Sequence, residues 1–221
     1  MVAHDTIEHA IDGRVPLRNE PVQARSTARL GALLDAAAQV VDEIGFERLT
    51  TAMVADRAGA SIGTVYRYFP DRIALLQALG ARNLERALAR STDELMNPQY
   101  TDWLTALSAA FGVLVEAYRD EPGFRGLRVG DVIDIRPAPT ERTFNSQLSD
   151  RLLDGLVERF GVPDTDEVRF LFESAVEVSD ALATRAFARD PQGDEKFLIA
   201  GRDIVYSMLA SHFGAVEGMQ Q

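Results

Sequence analysis

Between Thr50 and Phe69 the chain reads TTAMVADRAGASIGTVYRYF, a stretch that few folds accept. Met53, Val54 and Ala58 repeat at near-helical spacing, which gives a first short helix a face to bury. Gly59 offers a positive-φ position at which that helix can end. Ser61 is placed to cap a second helix through its hydroxyl. Val65 and Phe69, one turn apart, form the inward stripe of this second helix, while Thr64, Arg67 and Tyr68 fall elsewhere on its circumference and Tyr66 on a flank. Pro70 disfavours helix at Phe69 and stops the element. A short helix with an apolar back and a front of hydroxyl, guanidinium and phenol groups suits the major groove of DNA.

The flanking sequence extends this unit. Leu30, Leu33, Leu34, Ala37, Val40, Val41 and Ile44 predict a helix over about Thr27 to Ile44, closed by Gly45. Phe46 and Leu49 plug the junction, and Thr50 and Thr51 open the next helix with a hydroxyl cap. Arg25 and Arg29 stand at the mouth of the long helix, where they can reach phosphates or an adjacent minor groove. Before them, residues 1–24 carry mixed charge and two prolines without a sustained period, which predicts a mobile arm. After Pro70 a longer helix is expected from Asp71 to about Leu95, with Ile73, Leu76, Leu79, Leu84 and Leu88 on its apolar side.

From about Ser26 to Leu76 the sequence resembles the DNA-binding domain of TetR-type transcriptional repressors. The resemblance is carried by GFERLTTAMVADRAGASIGTVYRYFPDRIALL, Gly45 to Leu76, about a quarter of the chain. It implies an all-α fold of about nine helices. A three-helix helix-turn-helix domain over 25–72 would precede a helical effector-binding and dimerisation domain over 73–221. It also implies roles: Thr64 and Arg67 on base edges or nearby phosphates, and Tyr66 and Tyr68 on phosphates or thymine methyls. Ser61, Arg72 and the helix end at Thr50 and Thr51 would meet further phosphates. Arg67 is the candidate for a bidentate guanine contact. Gly63 would let the backbone approach DNA closely, and Ile62 either touches a thymine methyl or packs.

The body reads as five further helices: Thr101 to Tyr118, a short one after Pro122, Thr140 to Phe160, Asp166 to Arg189 and Asp194 to Phe213. GDVIDIRPAP, Gly130 to Pro139, reads as a loop. Trp103, Leu107, Phe111, Phe124, Leu127, Phe144, Leu148 and Phe172 form either plain core or the lining of an effector cavity. Glu173 and Glu177, with Asp180, make an acidic stripe that faces either that cavity or solvent. Leu171, Ala175, Val178 and Leu182 on one C-terminal helix, and Phe197, Gly201, Ile204, Met208 and Phe213 on the last, give an apolar face to each. In the resembled family such a pair packs on its two-fold mate, so the resemblance implies a homodimer; a purely intrachain core is the competing reading.

Composition bounds the remaining classes. The formal charge is −11 over 221 residues, with a net of −2 in residues 1–95 and −9 thereafter. A nearly neutral head with placed arginines on an acidic body suits binding to one site rather than coating of nucleic acid. There is no cysteine, and the histidines are His4, His9 and His212, so no metal ligand set, cofactor or catalytic triad is indicated. No apolar run approaches the ~18 residues that would span a bilayer, which predicts a cytoplasmic protein with no membrane partner. The expected partners are double-stranded operator DNA, a second copy of the chain and a small-molecule effector of unknown identity. A repressor released from a palindromic operator is the leading reading; a nucleoid-associated DNA platform for a protein partner is the alternative.

Overall fold

The computed structural model describes residues 20–129 and 143–214, in nine α-helices and one short 3-10 turn. Residues 1–19 of the expected arm, and the loop expected over 130–139, lie outside the described residues. The first helix, α1 (Glu20–Ile44), begins seven residues earlier than its apolar pattern predicts. Pro21 lies in its first turn, where a missing N–H has no intrahelical partner to lose. Gly45, at φ 83°, ends α1 and leads into the 3-10 turn Phe46–Arg48.

Two short helices follow, α2 (Thr51–Arg57) and α3 (Ile62–Tyr68), then α4 (Arg72–Leu95). The remainder is α5 (Trp103–Asp120), α6 (Phe124–Val129), α7 (Phe144–Phe160), α8 (Asp166–Phe187) and α9 (Glu195–Phe213). Side-chain caps fix most starts. Asp71, Asp102, Thr143, Thr165 and Asp194 each accept a backbone N–H in the first turn of α4, α5, α7, α8 and α9. The caps also account for two shifted starts, because α5 begins after Asp102 rather than at Thr101, and α7 after Thr143 rather than at Thr140.

Two cores organise the chain. The head core joins Leu33, Ala37, Val41, Phe46, Leu49, Val54, Val65 and Phe69 with Leu75, Leu76 and Leu79 of α4. The body core joins Leu88 and Leu95 of the same helix to α5, α7, α8 and α9. The head therefore extends past residue 72, and α4 belongs to both units. Its exposed Ile73 corrects the expected apolar side, which in the first turns is carried by Leu75 and Leu76 instead. Met53 of α2 is likewise exposed, and Val54 with Ala55 makes the buried face. The short α6 bridges the two units from the other side. Leu127 is buried in the head core, the N–H of Gly123 donates to Asp42 of α1, and Asn83 of α4 donates to the carbonyl of Pro122.

Candidate DNA-reading face and body cavity

The reading face is built by local chemistry. Thr50 Oγ1 accepts the N–H of Met53 and Ser61 Oγ that of Thr64, each at 3.2 Å, so both helix starts are capped as their sequence predicts. Between them Gly59 takes φ +58°, a left-handed conformation that a side chain would strain. Val65 and Phe69 are buried, and the opposite side of α3 is open: Ile62, Gly63, Tyr66 and Arg67 are exposed and Thr64 half-buried.

Hydrogen bonds hold this face in register. Thr51 Oγ1 donates to the Tyr66 hydroxyl at 3.3 Å, linking α2 to α3. Tyr68 is half-buried, and its hydroxyl lies 3.1 Å from Ser26 Oγ, linking α3 to α1. The Arg67 guanidinium sits 5.4 Å from the centre of the Tyr68 ring. As a result Arg25, Arg29 and Arg67 line one shallow groove with Ser26 and Tyr68. Arg72 lies apart from it. Its guanidinium donates to the Phe46 carbonyl and is half-buried, which makes it a tie between α4 and the turn after α1 rather than an outward arm. A second tie had no signal in the spacing: Arg57 grips Glu43 through both guanidinium nitrogens, at 2.6 and 2.7 Å. That hydrogen bonding holds the Glu43 carboxyl below the usual carboxylate range.

A cavity of about 190 Å³ lies inside the body between α5, α6, α7, α8 and α9. Leu107, Phe111, Phe124, Phe144 and Leu148 line it. Three other expected lining residues do not. Trp103 stacks on Tyr206 and meets Phe213 edge-on, Leu127 belongs to the head core, and Phe172 is buried in the body core. The acidic stripe divides along α8. Glu173 accepts a hydrogen bond from Ser146 and Glu177 one from Asn145, both on α7, while Asp180 reaches the cavity wall. Arg128 of α6 pairs with Asp180 there. Burial works against the charge on Arg128, but its neighbours Tyr118 and Asp180 more than offset it and raise the guanidinium above its ordinary value. Arg128, Asn145 and Tyr118 were not singled out from sequence, although a polar residue on the inner side of each helix was the available signal.

Two family descriptions match the chain. "Bacterial regulatory proteins, tetR family" covers residues 33–79, and "Tetracyclin repressor-like, C-terminal domain" covers residues 101–213. The chain belongs to the TetR family. A TetR-family transcriptional regulator from Streptomyces coelicolor has a similar structure, with a TM-score of 0.69 and 34% identity over 85% of this chain and 98% of that one. The transcriptional repressor KstR of Rhodococcus jostii is 31% identical over 90 residues, 41% of each protein. Nucleoid occlusion factor SlmA of Haemophilus influenzae is 28% identical over 110 residues, 50% of this chain and 49% of that protein. The chain thus spans less than half the length of these two curated relatives.

In this TetR-family regulator the residues expected at a dimer face fall into two groups. Ala175 is buried, Phe197 and Gly201 line the cavity, Gly201 packs near Leu182, and Phe213 packs on Trp103 and Phe172. These five are intrachain contacts, which corrects the expectation for Ala175, Phe197, Gly201, Leu182 and Phe213. Leu171, Val178 and Met208 are half-buried and Ile204 is exposed. Phe170 and Ile199, not foreseen, are also exposed, Phe170 to 74%. Among the described residues no helix is long and apolar enough to cross a membrane.

Proposed function

We propose that this regulator is a homodimeric repressor that binds a palindromic operator through α3 and leaves it when a small molecule enters the body cavity. One observation carries the reading: a capped, outward-facing α3 whose Arg67 shares a groove with Arg25 and Arg29. Two such heads on a two-fold axis would meet two half-sites of one operator. Exposed apolar side chains on α8 and α9, Phe170, Ile199 and Ile204, suit a surface buried against a second copy. An effector would act by preferring the body arrangement that does not fit the operator.

The printed name of SlmA keeps the platform reading in view, in which DNA binding displays a protein-docking surface. The enclosed body cavity favours ligand gating over it. Sequencing of DNA fragments recovered with the purified protein, followed by gel shifts on the recovered motif, tests the proposal. Arg67→Ala is expected to lose about 1–3 kcal/mol of discrimination between operator and random DNA. Unchanged discrimination would remove Arg67 from base reading.

A further inference from the structure

The cavity is mostly hydrocarbon, and its polar side is unusually specific about what it lacks. Arg128 and Asp180 pair across it, so the two charges nearest the space neutralise each other. The second Asp180 oxygen accepts from Asn145 Nδ2 at 3.3 Å, and the same nitrogen donates to Glu177 at 2.9 Å. Both amide hydrogens of Asn145 are therefore committed. Reversing the amide would set its oxygen against two carboxylates, so its orientation is fixed by chemistry. Asn145 is more than nine-tenths buried, and its Oδ1 has no hydrogen-bond partner. A buried acceptor left in this state is costly, and a donor brought by a ligand would relieve it.

Building on the cavity reading above, we infer that the effector is an uncharged, largely hydrocarbon molecule bearing one hydroxyl, a phenol or alcohol, that donates to Asn145 Oδ1. Leu107, Phe111, Leu148 and Val205 offer its body an apolar surround. Size sets a bound as well: a cavity of about 150 Å³ admits benzene, so about 190 Å³ suits one ring with a short substituent. An organic anion would have to take Arg128 from Asp180 and strand a buried carboxylate. An organic cation would meet Arg128 beside every acid it approached.

The test is calorimetric titration of the full-length protein with four probes of one shape: para-ethylphenol, ethylbenzene, para-ethylbenzoate and para-ethylbenzylammonium. The phenol is expected to bind tightest, about tenfold or more ahead of ethylbenzene. Asn145→Leu should bring that ratio toward one, and Leu148→Trp should abolish binding by filling the space. Equal binding of phenol and ethylbenzene, as when water already satisfies Oδ1, overturns the inference and leaves the cavity reading standing. Tightest binding by the benzoate or the benzylammonium does the same. No binding by any probe removes the cavity as a site for ligands of this size, and the inference with it. Should Asn145→Leu fail to fold, the wild-type ratio alone decides.

Discussion

Leu127 and Arg128 are consecutive residues that serve different cores: the leucine is buried in the head, and the arginine pairs with Asp180 in the wall of the body cavity. A six-residue helix, α6, thus connects the candidate effector site to the DNA-reading unit within one peptide step. Leu127→Ala is expected to destabilise the protein by about 2–4 kcal/mol, read from urea unfolding. In gel shifts it should keep operator binding while weakening ligand-driven release. Release equal to wild type would mean that the signal travels by another route.

Ser61 caps α3 and also lies 3.0 Å from the Thr64 hydroxyl. Ser61→Ala should cost about 1 kcal/mol of stability, seen as a lower melting temperature, and Ser61→Asp should recover most of it. If phosphate contact is the second role of this serine, Ser61→Asp will regain stability without regaining DNA affinity, because a carboxylate repels the backbone.

Tyr118 provides a pH test. Burial, above all, raises its phenol above the ordinary value, and Asp180 adds to this while Arg128 and Thr184 act in the opposite direction. A folded value above the unfolded one of about 10 favours the folded state fully below pH ~10, and that contribution is lost as pH rises through the folded value. Stability measured by urea midpoints should therefore fall above about pH 10. Tyr118→Phe should make that fall shallower, at the expense of the 3.1 Å hydrogen bond to Thr184 at neutral pH.

Exposed Ile204 and Phe170 lie on the last two helices. Ile204→Asp combined with Phe170→Asp is expected to shift the protein from dimer to monomer in sedimentation equilibrium. A wild-type chain that sediments as a monomer at micromolar concentration would remove the two-fold reading altogether.

The parts of the molecule set by neighbours in sequence were legible there. Caps at Thr50 and Ser61, the left-handed Gly59 and the inward pair Val65 and Phe69 need only a few consecutive residues each. Periodicity also marked α4 as amphipathic, yet it set Ile73 inward, because a head that presents a surface to DNA tolerates apolar side chains on the outside. The cavity was harder for a different reason. Trp103 and Phe172 are as large and apolar as Phe111 and Phe144, and only the packing of five helices decides which of them border empty space. Arg128 and Asp180 pair across 52 positions, a relation that no local window contains. Dimer and cavity faces were confused at Phe197 and Gly201 because both demand the same small or apolar residues on one helix.

Because α4 is rooted in both cores, it works as a lever. Its 24 residues make a rod about 36 Å long, so a tilt of about 5° at one end carries the other about 3 Å. Repacking around Leu88 and Leu95, far from any nucleotide, would then alter the distance between two paired heads. Substitutions there should tune operator affinity while leaving every DNA-touching side chain intact.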